Sequence, residues 1–258
     1  MTRRAFAIGA HPDDIEFLMA GTLLRLRDAG FEIHCINVAN GSCGSVEHDA
    51  ETTARTRRAE SVAACELVGA TYHESLCPDL EILYALPLLR RLAAVVRQVS
   101  PDVMLVHAPV DYMEDHVNAG RLAVTAAFGR GMRNFATEPA EAPVDREVVV
   151  YHAQPYGNRD PLGRAVEADL YVDVGEVLDD KAAMLACHRS QKEWLDRSQG
   201  LDSYIDTMRE MTREVGRMSR RFEYAEGWRR HSHFGLCAPD ADPLQRALGD
   251  ASVARAGA

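Results

Sequence analysis

Apolar and polar positions along the first half of the chain alternate between two kinds of run. Residues 5–9, 31–38, 70–76 and 102–106 are short strand-like stretches. Between them lie runs with helical spacing: residues 17–24, then 51–68 closed by Gly69, then 87–99. In the last of these Leu88, Leu89, Leu92, Val95, Val96 and Val99 share one face, and Pro87 suits the first turn. Repeated strand–helix units of this length predict right-handed crossovers and a mostly parallel, Rossmann-like α/β sheet with helices on both faces. The second half is less regular. Residues 147–151 and 170–174 read as strands around a Gly/Pro/Asn-rich loop at 155–163, followed by a helical elaboration near 177–197 and 201–220. Residues 238–258 are small and polar enough to read as a loose tail. The expectation is one domain over 1–237.

The strand ends carry the chemistry. The first strand runs into Ala10-His11-Pro12-Asp13-Asp14-Ile15-Glu16. Ligands of open α/β sheets bind outside the carboxyl ends of the strands. The imidazole of His11 and the carboxylate of Asp14 are donors that zinc accepts. Asp13 is adjacent but aimed differently, as a general base beside a metal requires. Pro12 with two first-turn carboxylates also makes a good helix start, which accounts for the Pro and one Asp but not for His11. The fourth strand leads into His107-Ala108-Pro109-Val110-Asp111-Tyr112-Met113-Glu114-Asp115-His116, then a helix near residue 117. A third ligand from another strand end would complete a catalytic set with an open position, and His116 is the candidate. Without the first motif, His116 would be an ordinary residue at a helix start.

Composition narrows the classes. The chain has 258 residues, 47% hydrophobic and 26% charged, with a formal net charge of -10. Its densest basic cluster, Arg55-Thr56-Arg57-Arg58, is too short to argue for nucleic acid or an anionic membrane, so a small-molecule substrate is expected. Six cysteines show no C-x-x-C pair and read as reduced thiols; with no signal-peptide-like start and no run of membrane-spanning length, the expectation is a cytoplasmic protein. A nucleotide-binding Rossmann domain is disfavoured, because the first strand ends in Ala10-His11-Pro12 and not in a glycine-rich phosphate loop.

The pattern A-H-P-D-D-x-E, with D-Y-x-x-D-H at a later strand end, resembles the LmbE/PIG-L-type zinc deacetylases. The similarity continues through Arg57-Arg58-Ala59-Glu60, through Leu76-Cys77-Pro78-Asp79 and, more faintly, through Cys187-His188-Arg189-Ser190-Gln191. The resemblance implies removal of an N-acetyl or related acyl group from an amino-sugar conjugate. It implies Zn2+ on His11, Asp14 and His116, with Asp13 as general base. A two-His, one-Asp set admits iron or cobalt on donor type alone. Arg57 falls at a substrate-binding arginine, with Arg58 as the alternative register; otherwise Arg57 would sit on a solvated helix face, paired with Glu60. Asp79 is a turn former that the resemblance makes a sugar contact. Oligomers are common among such proteins, although no surface in this sequence argues for one.

Met113 departs from the pattern. The family often has a histidine there, which stabilises the tetrahedral oxyanion, and a thioether cannot donate a hydrogen bond. Loss of one such donor typically costs about a hundred- to a thousand-fold in rate. Tyr112, His152 and His188 are candidate substitutes. Met113 also motivates the alternative of a non-catalytic metal- or sugar-binding protein of the same fold. Among the rest, Asp115 is read as orienting a ligand and Glu16 as supporting the helix start. His107 is either a group behind the ligands or a hydrogen-bonded strand end, and His231 and His233 are read as surface residues.

Overall fold

The computed structural model describes residues 2–191 and 204–255. Its eight strands are β1 (Arg3–Gly9), β2 (Phe31–Asn37), β3 (Thr71–His73), β4 (Val103–Val106), β5 (Val149–Ala153), β6 (Leu170–Asp173), β7 (Ala225–Arg230) and β8 (Ser252–Ala254). They form one sheet in the order β3-β2-β1-β4-β5-β7-β6-β8. The pairs among β1 to β5 are parallel, and those made by β7 and β8 are antiparallel. The mostly parallel α/β architecture expected from the strand–helix alternation is the one observed.

Helices cover both faces. On one side lie α1 (Asp14–Leu18), α2 (Ala20–Asp28), α3 (Ala50–Leu67) and α6 (Leu178–Ala186); on the other lie α4 (Leu86–Val99) and α5 (Glu114–Gly129). Strand alternation divides the core accordingly. Ala5 and Ala7 of β1 join Leu23, Leu26, Ala64 and Met184, whereas Phe6 and Ile8 join Leu92, Val96, Leu122 and Ala123. Buried Arg97 on α4 donates to the carbonyls of Gly129, Arg130, Met132, Phe135 and Glu141, which pins the long connection from α5 to β5. Among the described residues no helix is long and apolar enough to cross a membrane.

Three expectations are corrected. The helix read over 17–24 is broken at Met19, whose φ of -133° separates α1 from α2. Glu226 of β7 explains the new start: its carboxylate accepts from Gly21 N and Thr22 N, both at 2.8 Å, and so caps α2 from a distant strand. Lys181 Nζ lies 2.6 Å from the same carboxylate, and both side chains are buried. A Cβ on Gly21 would stand 2.5 Å from Val174, so only glycine fits there.

The helix expected over 177–197 ends as α6 at Ala186, and its positions 192–197 lie outside the described residues. The next helix, expected over 201–220, is α7 (Tyr204–Ser219), with 201–203 likewise outside.

The stretch read as a loose tail carries α8 (Pro243–Leu248) and β8, which pairs with the edge of β6. Leu244 is fully buried, and Tyr151 Oη donates to Asp242 Oδ1 at 2.7 Å. Composition missed this because the anchoring partners, Tyr151 and β6, lie far away in the sequence.

On the β2–β3 side His34 Nδ1 and His73 Nε2 are 3.1 Å apart, with His73 edge-on to Phe6. Burial, then the neighbouring His34, pushes His73 down to about 4, and burial lowers His34 as well. A histidine whose folded pKa lies below its unfolded value of about 6.5 stabilises fully above that value and loses the contribution as pH falls toward the folded pKa. The melting temperature is therefore expected to fall between about pH 6.5 and about 4, and the fall is expected to be shallower in His73→Gln. Parallel pH profiles for the two proteins would contradict this account.

Candidate active site

The chain leaves β1 to one side for β2 and β3, then returns to its other side as β4, which makes the β1/β4 boundary the switch point of the sheet. Register puts Gly9 opposite Asn37 and Ile8 opposite Val106, so the loops after β1, β2 and β4 emerge at one level. Gly9 is tight against its surroundings: a Cβ would lie 3.0 Å from Ile15 and 3.1 Å from Asn37 Oδ1. The next loop folds back on Asp14, whose Oδ2 accepts from Ala10 N at 3.1 Å and His11 N at 2.7 Å.

Donor atoms of His11, Asp14 and His116 lie within 4.8 Å of one another. His11 Nδ1 is 3.6 Å from Asp14 Oδ2, and His116 Nε2 is 3.4 Å from Asp14 Oδ1. The opposite nitrogens are held by carboxylates: His11 Nε2 by Asp115 at 2.9 Å and His116 Nδ1 by Asp111 at 3.0 Å. A carboxylate behind each imidazole fixes its ring and raises its basicity, as metal-binding histidines require. His107 lies beneath, with Nε2 3.2 Å from Asp14 Oδ2 and its ring stacked on His116 at 4.2 Å. It touches two of the three candidate ligands, Asp14 and His116.

The charges are strongly coupled. Burial would push His11 and His116 down, yet Asp115 and Asp14 raise the first to about 9, while Asp14 and Asp111 raise the second to about 10. Burial alone would raise Asp14, but His116 and His107 hold it well below the carboxylate range. Asp13 moves upward, chiefly through burial, with Arg57 pulling against it. Two adjacent carboxylates thus part in their proton affinities.

Asp13 adopts φ 92°, a left-handed conformation that aspartate tolerates better than most residues. Its Oδ2 accepts from Tyr204 Oη at 2.5 Å and lies 3.5 Å from Arg57 Nη2. Arg57 is only 3% exposed and donates to the Pro12 carbonyl. The loop after β2 passes directly over it, where a Cβ on Gly41 or Gly44 would fall 2.6 or 2.5 Å from its side chain. The solvated pairing of Arg57 with Glu60 is therefore corrected. Glu60 accepts from Ser190 instead, and Arg58 makes the exposed pair, with Glu74. Asp79 shapes the same loop, accepting from Gly41 N at 2.6 Å and Cys43 N at 2.9 Å.

The three expected substitutes for a residue-113 donor fare differently. Tyr112 stands at the mouth, 58% exposed, its ring edge-on to His116 at 5.5 Å. His152 is a buried residue of β5, paired with the His107 carbonyl at 2.8 Å and with His231 Nδ1 at 2.9 Å, so both of its nitrogens are engaged away from the site. That pairing also corrects the reading of His231 as a surface residue. His188 is fully buried behind Asp13, with Nε2 3.3 Å from Glu16 Oε2. Glu16 lies in the first turn of α1, as expected of a residue at the helix start, and is itself buried. Sequence reasoning missed Tyr204 and the aromatic row joining it to Phe17, Tyr156 and Tyr112. These residues follow no shared motif and meet only in the fold.

Residues 6–127 match the family model described as PIG-L, GlcNAc-PI de-N-acetylase. The chain is 24% identical over 195 residues to a diacetylchitobiose deacetylase of Thermococcus kodakarensis, covering 73% of this chain and 70% of that one. It is 26% identical over 198 residues to a 4-oxalmesaconate hydratase of Pseudomonas putida, covering 74% of each. Among solved structures, an N,N'-diacetylchitobiose deacetylase from Pyrococcus horikoshii superposes with a TM-score of 0.74 at 20% identity, over 90% of this chain and 85% of the other.

Proposed function

We propose, on the premise that this chain carries a PIG-L-type domain over residues 6–127, that it is a metal-dependent amide hydrolase. On this reading it removes an N-acetyl or related acyl group from an amino-sugar conjugate. The observation that carries the proposal is the His11–Asp14–His116 cluster with Asp13 beside it, one carboxylate held low and the other raised. Two carboxylate-backed imidazoles and a carboxylate suit zinc by donor type. A divalent ion held by His11, Asp14 and His116 would supply Lewis-acid polarisation of the acyl carbonyl.

The remaining chemistry belongs to the chain. Tyr204 and Arg57 engage Asp13 Oδ2, which leaves Oδ1 to take a proton from attacking water and return it to the leaving amine. A phenol is protonated at neutral pH, so the Tyr112 hydroxyl at the mouth of the site is a donor there. On this reading it is the group that answers for Met113 at the oxyanion.

The hydratase relative raises a second reading, addition of water to a carboxylate substrate. The commitment of Arg57 weighs against it. Its guanidinium is held by the Pro12 carbonyl and Asp13, which leaves it unable to pair with the carboxylates of such a substrate.

The test is elemental analysis beside an amine-release assay on N-acetylglucosamine conjugates. About one metal ion per chain, the count of a single catalytic site, is expected in the wild type and is expected to be lost in His116→Ala together with amine release. A protein that takes up no metal when zinc is offered would end this reading.

A further inference from the structure

Leu80 is held in a conformation that its side chain does not explain. Its φ is 63°, a left-handed setting that is costly for a leucine, yet the side chain is 71% exposed and so is not what holds the turn. The backbone is pinned on both sides instead. Before the turn, Asp79 accepts from Gly41 N and Cys43 N of the loop after β2. After it, Ile82 is fully buried in the core layer that contains Leu92 of α4 and Leu122 of α5. Between these two anchors the Leu80 N–H is aimed at α5, where it donates to Asp115 Oδ2 at 2.8 Å.

The same oxygen lies 2.9 Å from His11 Nε2. A carboxylate only accepts, so neutral His11 carries its proton on Nε2 and turns the lone pair of Nδ1 toward Asp14 Oδ2, 3.6 Å away. Asp115 is itself buried, in the first turn of α5 beside His116. With His11 as its one donor, the carboxylate would be free to turn with the imidazole. A second donor fixed to the backbone sets its direction, and the ring follows.

We propose that the Leu80 peptide N–H is a positioning group for the metal donor His11, acting through Asp115, and that the left-handed turn at residue 80 serves to deliver it. The inference rests on the metal-site reading above and deepens it. What matters at this position is the backbone donor, so the leucine side chain is replaceable and the N–H is not. The coupling runs both ways. If the Leu80 hydrogen bond strengthens the hold of His11 on an ion, a bound ion tightens that hydrogen bond by the same factor.

The test measures zinc affinity by chelator competition in the wild type, in Leu80→Gly, and in a protein whose amide at residue 80 is replaced by an ester through incorporation of the α-hydroxy acid of leucine. Loss of a hydrogen-bond partner behind a metal ligand typically weakens a site about ten- to a hundred-fold, and the lower figure is expected for the ester because Leu80 acts at one remove. Leu80→Gly keeps the N–H and is expected to bind zinc as the wild type does. In an Asp115→Ala background the ester is expected to add no further loss, which a general disturbance of the loop would not reproduce. An ester protein that binds zinc as tightly as the wild type would overturn the proposal, as would an ester effect of equal size with and without Asp115. A second measurement needs no variant. Exchange of the Leu80 amide hydrogen in the wild type is expected to slow about ten-fold on zinc loading, by the reciprocity of coupling. Exchange indifferent to bound zinc would count against the proposal and leave the metal site standing, whereas a wild type that takes up no zinc would remove both.

Discussion

Asp13→Asn is expected to retain its metal and lose about a thousand-fold in kcat, within the range of about a hundred- to ten-thousand-fold that a positioned general base supplies. The substitution is close to isosteric. The asparagine carbonyl still accepts from Tyr204, so the loop that carries His11 and Asp14 keeps its shape. What disappears is the proton acceptor. Burial raises the carboxyl of Asp13, which matches it to water and amine better than an exposed aspartate would be. Tyr204→Phe is expected to act in the same direction and less strongly, about ten-fold, because it frees Oδ2 without removing the acceptor. Amine release and metal analysis on the same preparations decide the matter. An asparagine variant within ten-fold of wild type would place the base elsewhere.

The largest stability effect is expected at Glu226. Glu226→Ala would leave Lys181 buried without a carboxylate and would strip the acceptors from Gly21 N and Thr22 N. Removing one partner of a buried pair typically costs about 3–5 kcal/mol, a large fraction of the stability of a domain. The double variant Lys181→Met with Glu226→Gln keeps an oxygen at the helix start and removes both charges, so it is expected to be markedly more stable than the alanine variant. Urea unfolding midpoints at a common slope measure both. A loss under 1 kcal/mol for Glu226→Ala would mean that Lys181 finds water, and that the cap contributes little.

Much of the first half was legible because its signals are local. Each apolar run of strand length is followed by its own helix, and His11, Asp13 and Asp14 sit within one turn of a strand end. The second half resisted for the opposite reason. β7 reads Ala-Glu-Gly-Trp-Arg-Arg, a poor strand by pattern, yet it runs between β5 and β6 because Glu226 is satisfied by α2 and α6. Arg57 is marked by resemblance as a substrate-binding residue, while its helix pattern alone offers only a solvated face. Its burial depends on a loop above it, and the local trace of that is the pair Gly41 and Gly44, whose missing side chains leave it room. Tyr204 had no local trace at all, since its partner lies 191 positions earlier.

That last separation bears on synthesis of the protein. The three candidate metal donors all emerge by residue 116, and β1 and β4 that present them are neighbours in the sheet. The hydroxyl that holds Asp13 leaves the ribosome only once residue 204 has been added. On the hydrolase reading, the residues that would hold the ion are thus all synthesised well before the one whose hydroxyl would align the base.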